Sequence, residues 1–116
     1  MNITSDALLT DLYELTMAQA YLAQGMTDIA VFEFFVRKLP PQRNFFMAAG
    51  LEQVLSYLEA FQFSDADIAW LDQTGGFRPA SLNALRAMRF TGEVHAMPDG
   101  SLFFPHGKDT HFSCYF

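Results

Sequence analysis

Along the first two dozen residues apolar side chains recur at helical intervals. Leu8, Leu12 and Leu15 follow one another at steps of four and three, with Tyr13, Met17 and Tyr21 at four-residue steps beside them. The spacing predicts a helix over residues 5–24, with Gly25 as its stop. From 28 to 39 the pattern changes to a nearly unbroken β-favouring run, Ile29-Ala30-Val31-Phe32-Glu33-Phe34-Phe35-Val36, closed by Arg37-Lys38 and broken by Pro40-Pro41. Such continuity predicts a strand covered on both faces, in which Glu33 needs a partner. After a loop through Gln42-Arg43-Asn44, a second helix is expected from Ala48 or Gly50, with Leu51, Val54, Leu55, Leu58 and Phe61 on one face. Ser64 opens a third, because its hydroxyl can cap the amide of Asp67 while Asp65 and Asp67 favour the positive helix end; Gly75-Gly76 stops it. Pro79 suits the first turn of a fourth helix through Leu82, Leu85 and Met88. Val94 and Ala96 then flank Pro98-Asp99-Gly100-Ser101 together with Leu102-Phe103-Phe104, a pattern that predicts a β-hairpin.

This order, without an internal repeat or a linker, reads as one α+β unit of helices packed on a small β-sheet. A length of 116 residues allows one domain. Apolar residues make up 51% of the chain and 13 residues are Phe, which excludes a disordered segment. It also exceeds the apolar surface that so small a domain can cover, and so implies a missing partner. The 7 Lys and Arg against 13 Asp and Glu, a net charge of −6, provide no basic footprint for nucleic acid or an anionic membrane. Cys114 is the only cysteine and can form no internal disulfide, so a reducing, cytoplasmic setting is expected. The start of the chain lacks a secretory signal pattern, and no apolar run approaches the roughly 18–20 residues that span a bilayer.

Self-contained catalytic machinery is not visible. The chain has no glycine-rich phosphate loop, no dinucleotide-binding glycine triplet and no helical pair of zinc-binding histidines. His95, His106 and His111 lack metal-ligand spacing, and Asp65, Asp67 and Asp72 sit where a helix start and its solvated face place them. The informative stretch is Leu9-Thr10-Asp11-Leu12-Tyr13-Glu14-Leu15-Thr16-Met17, which projects a phenol and a carboxylate from one helical turn. An ordinary amphipathic helix, with Tyr13 at the core's rim and Thr10-Asp11 in capping, explains the same residues.

That stretch closely resembles the N-terminal signature of the nicotinate phosphoribosyltransferases. The resemblance continues in order through Phe32-Glu33-Phe34-Phe35-Val36-Arg37, Ala48-Ala49-Gly50-Leu51-Glu52-Gln53, residues 61–71 and Pro98-Asp99-Gly100-Ser101-Leu102-Phe103-Phe104-Pro105. It implies the N-terminal domain of a type II phosphoribosyltransferase in NAD salvage. Such enzymes join nicotinate to 5-phosphoribosyl-1-diphosphate, giving nicotinate mononucleotide and diphosphate, with ATP hydrolysis through a phosphohistidine and with magnesium at the departing diphosphate. It also implies a homodimer whose active sites combine one subunit's barrel with the other's N-terminal region. By the same resemblance Tyr13 is the tyrosine that stacks on the pyridine ring. Arg37 looks like the position where the sister nicotinamide enzymes place an arginine on substrate phosphate, as its planar fork of donors suits. Asp11 either orients the same pocket or serves in a cap or ion pair.

The resemblance covers residues 1–105, and the α/β barrel that carries the phosphohistidine and the diphosphate-binding residues is absent from this chain. After Pro105 the family continues with an acidic, proline-containing strand, whereas residues 106–116 diverge, and a reading-frame shift or a truncation is the expected cause. The chain by itself is therefore expected to be inactive. The alternative from another functional class is a noncatalytic α+β interaction module, which self-associates or binds a full-length subunit through its Phe-rich residues 32–35 and 103–104.

Overall fold

Capping chemistry written into the sequence sets the helix ends. The elements in chain order are α1 (Leu12–Ala23), β1 (Val31–Phe34), β2 (Phe46–Met47), α2 (Leu51–Ala60), α3 (Asp65–Thr74), α4 (Pro79–Ala87), β3 (Glu93–His95), β4 (Leu102–Phe103) and β5 (Phe112–Tyr115). The structure, a computed structural model, describes residues 7–105 and the backbone of 112–115. Ser64 opens α3 with a capping box. Its Oγ accepts from the Asp67 N–H at 3.1 Å, and the Asp67 carboxylate accepts from the Ser64 N–H at 2.8 Å. Pro79 stands in the first turn of α4, where its missing N–H leaves no orphan donor. At the end of α1, Gly25 takes φ +65°, its N–H donates to the Leu22 carbonyl and the Met26 N–H to that of Tyr21. This is the Schellman arrangement, and it requires the left-handed conformation that glycine adopts without a Cβ clash.

The chain divides into two units. One holds the residues up to Asp28 with Tyr57–Phe90, the other Ile29–Ser56 with the residues from Thr91 onward. In the first, Ala7, Leu15, Phe63, Ile68, Leu71, Leu82 and Leu85 form a buried cluster, with Leu8, Phe61 and Phe77 packed against it. Leu71 and Leu85, one from α3 and one from α4, are its two fully buried large side chains. Phe61 extends the cluster by edge-to-face contacts with Phe63 at 5.7 Å and Tyr57 at 5.9 Å.

The described residues of the second unit form two antiparallel sheets. A three-stranded sheet has the order β1-β5-β3, with Val31 opposite Tyr115, Phe34 opposite Phe112 and Val94 opposite Cys114. A two-stranded ladder pairs Phe46 with Phe103 and Met47 with Leu102, and the two Phe rings stack at 5.4 Å. Ala48 prolongs it: its N–H donates to the Ser101 carbonyl at 2.8 Å, and its carbonyl accepts from the Gly100 N–H at 2.7 Å.

The α+β class and the four helices agree with the sequence reading, while several details differ. α1 begins at Leu12, because Asp11 takes the extended conformation of an N-cap (φ −79°, ψ 142°). Leu8 therefore precedes the helix, and Leu12 is 60% exposed while Leu15 is buried. The expected strand over residues 28–39 contracts to β1, and all four of its side chains are exposed, not covered on both faces. β2 fills what reads as loop before α2. The predicted hairpin does not form. Its turn is present, with the Ser101 N–H donating to the Pro98 carbonyl, but β3 pairs with β5 and β4 with β2. Apolar alternation fixes which face a strand shows, not which strand it pairs with. β5 arises within residues 106–116, where no strand is expected, whereas His106 and His111 lie outside the described residues.

Candidate functional site

The start of α1 carries the polar residues Thr10, Asp11 and Glu14. Asp11 is the N-cap residue, and its carbonyl accepts from the Glu14 N–H at 3.0 Å, but its side chain makes no capping bond. The Thr10 hydroxyl instead donates to the Glu14 carboxylate one turn ahead. Glu14, in the first turn, has the sign that the positive end of the helix favours. Leu8, Leu9, Thr10, Asp11 and Glu14 line an open depression of about 400 Å³. With two carboxylates on its wall, this depression repels a carboxylate or phosphate ligand, so it is not itself where an anionic substrate would sit.

Tyr13 stands beside it, 59% exposed, on the first turn of α1. Two residues at about 100° each set it on the opposite side of the helix from the buried Leu15. The Thr16 hydroxyl donates to the Tyr13 carbonyl at 2.9 Å, a backbone contact that leaves the ring free to present a face. The structure places Tyr13 and Glu14 on the first turn of α1, whereas Thr10 and Asp11, expected on the same turn, precede the helix because Asp11 is its extended N-cap. Arg37, exposed in the bend after β1, belongs to the second unit.

Among the described residues no group of three His, Cys, Asp or Glu side chains is placed to hold a metal ion. His95 reaches the Glu93 carboxylate at 3.4 Å, and both are exposed. The magnesium implied by the resemblance therefore finds no such donor set among the described residues. No helix among the described residues is long and apolar enough to cross a membrane.

The family model of the nicotinate phosphoribosyltransferase (NAPRTase) N-terminal domain matches residues 8–111. The chain belongs to this family. It is 53% identical over 100 residues to a nicotinate phosphoribosyltransferase of Mycobacterium tuberculosis, covering 86% of this chain and 22% of that protein. To the nicotinate phosphoribosyltransferase of Bos taurus it is 43% identical over 102 residues, 84% of this chain and 19% of that one. Its fold superposes on the crystal structure of human nicotinic acid phosphoribosyltransferase with a TM-score of 0.78 and 38% identity, over 92% of this chain and 22% of the human one. The chain thus spans about a fifth of the length of the curated relatives it matches.

Within this nicotinate phosphoribosyltransferase N-terminal domain, two polar residues escape sequence reasoning. Asp99 caps α2 from a distant turn, and Gln19 binds the backbone between α3 and α4. Asp99 stands in the Pro98-Asp99-Gly100-Ser101 turn, which local sequence predicts without showing the helix it caps. The one signal for Gln19 is its four-residue step from Leu15, which places a polar side chain on the inward stripe.

Proposed function

We propose that this segment serves in the nicotinate phosphoribosyltransferase reaction by presenting Tyr13 to the pyridine ring of nicotinate. In that reaction the ring nitrogen bonds to the anomeric carbon of 5-phosphoribosyl-1-diphosphate as the carbon–oxygen bond to diphosphate breaks. The products are nicotinate mononucleotide and diphosphate, and ATP hydrolysis accompanies the step in NAD salvage. The observation that supports this reading is the exposed Tyr13 ring, held on the first turn of α1 on the side away from Leu15. An aromatic stack of this kind is worth about 0.5–1.5 kcal/mol and fixes the ring plane for attack. By the resemblance Arg37 offers its guanidinium to substrate phosphate, and Asp11, whose side chain makes no capping bond, orients the residues around Tyr13.

The residues that bind the departing diphosphate and the phosphohistidine belong to the part of the enzyme outside this segment. A stack worth about 0.5–1.5 kcal/mol does not replace that machinery, and the chain by itself is expected to form no nicotinate mononucleotide. The exposed apolar side chains of α1 and β1, Tyr13, Met17, Phe32 and Phe34 among them, support docking on that remainder and on a second subunit in a homodimer. The test is Tyr13→Ala in an enzyme of full family length carrying this segment. KM for nicotinate rises about two- to tenfold, as loss of the stack requires, while KM for the phosphoribosyl donor stays put. An unchanged nicotinate KM rejects the reading.

A further inference from the structure

Packing alone specifies the rotation of α1 weakly. The helix is apolar around its circumference, with Leu12, Tyr13, Met17, Tyr21 and Leu22 all exposed. Only Leu15 is buried and only Ala18 and Gln19 are half-buried, a single narrow stripe at i, i+3 and i+4. Leu22, which continues this stripe, is 48% exposed, so the contact of α1 with its unit ends at Gln19.

At that last point the contact is directional. Gln19 Oε1 accepts from the Arg78 N–H at 2.7 Å, and Gln19 Nε2 donates to the Gly76 carbonyl at 3.0 Å. Both partners are backbone groups of the segment that joins α3 to α4. They demand one donor and one acceptor at fixed separation, which a neutral planar carboxamide supplies. Gly75 and Gly76 both take positive φ, +73° and +101°, and so give the connection the course that offers these two groups to the side chain.

We propose that Gln19 is a positioning residue for nicotinate binding: its carboxamide fixes the rotation of α1, and through it the plane of the Tyr13 ring. This rests on the role given to Tyr13 above. A helix rotation of about 15° moves a side-chain tip at ~6 Å from the axis by roughly 1.5 Å. Displacements of about 1 Å at a reacting ring are enough to cost large factors in rate or affinity.

The experiment uses a nicotinate phosphoribosyltransferase of full family length carrying this segment at its N-terminus. Gln19→Leu removes both hydrogen bonds at nearly constant volume. Hydrogen exchange at the Arg78 amide accelerates about tenfold or more, with the amides of α3 unchanged. KM for nicotinate rises about three- to tenfold while KM for the phosphoribosyl donor does not move, whereas a merely structural loss lowers apparent kcat and leaves both KM values alone. Gln19→Glu keeps the acceptor for Arg78 at neutral pH and falls between wild type and Gln19→Leu. It carries the comparison if Gln19→Leu does not fold. In a Tyr13→Leu background, Gln19→Leu adds less than about 1.5-fold, the non-additivity expected of two residues acting through one ring. If Tyr13→Leu raises nicotinate KM and the Gln19 variants do not, the role of Gln19 is overturned and that of Tyr13 stands. If Tyr13→Leu itself has no effect, both fall.

Discussion

The Asp99 carboxylate accepts a hydrogen bond from the Leu51 N–H at 3.3 Å, so a turn from the far end of the chain caps the start of α2. Helix N-termini leave their first N–H groups without intrahelical partners, and an anionic acceptor there satisfies one and complements the helix dipole. The Ala48 bonds to Gly100 and Ser101 hold the turn in reach, which ties the Ala48-Ala49-Gly50 and Pro98-Asp99-Gly100-Ser101 stretches together. Asp99→Ala is expected to lower stability by about 0.5–1 kcal/mol, and Asp99→Asn by less, because its carbonyl still accepts. Urea unfolding followed by far-ultraviolet circular dichroism checks this. Equal losses for the two substitutions would show that the acceptor is not what matters.

Leu71 and Leu85 are the fully buried large side chains of the helical unit. Truncating either to Ala leaves a cavity among Ile68, Leu82 and Phe63 that rigid helices close only in part. Each substitution should cost about 2–5 kcal/mol. Trp70, next to Leu71 on α3, reports the transition by fluorescence. A cost below about 1 kcal/mol would mean that α3 and α4 collapse onto the void.

Local rules made the helices legible: Ser64 before Asp67, Pro79 in a first turn, and Gly25 or Gly75 past a last one act within a few residues. Strand pairing was not legible, because the partner of Val94 is Cys114 in one ladder and that of Leu102 is Met47 in another. Those choices depend on contacts across tens of residues that apolar alternation does not encode. Helical spacing was enough to pair Tyr13 with Glu14, but it did not show that Asp11 ends the helix and leaves Thr10 outside it. Apolarity around α1 hid which side is buried, and the structure settles that on Leu15, Ala18 and Gln19.

Phe34 in β1 is 68% exposed, in a run where Val31, Phe32 and Phe35 are exposed as well. An apolar strand at the edge of a sheet is a template for association. Phe34→Ser is expected to change the stability of the chain by no more than about 0.5 kcal/mol, since little packing is lost. Self-association, read by light scattering, should fall. Unchanged scattering would remove β1 from the associating surface.

Stacking and hydrogen bonding at Tyr13 make opposite predictions for Tyr13→Phe. The ring is exposed on the first turn of α1, and a stacked contact with the pyridine uses its π-face and not its hydroxyl. Removing the oxygen leaves that face and the buried anchor at Leu15 in place. In an enzyme of full family length carrying this segment, KM for nicotinate should therefore stay within about twofold of wild type for Tyr13→Phe, against the larger rise for Tyr13→Ala. A site that binds nicotinate through the phenol oxygen makes Tyr13→Phe as damaging as Tyr13→Ala, because an acceptor left without its donor loses a hydrogen bond whatever ring remains. Steady-state kinetics of the two variants side by side separates the cases: a Tyr13→Phe enzyme as impaired as Tyr13→Ala would move the contact from the ring face to the hydroxyl.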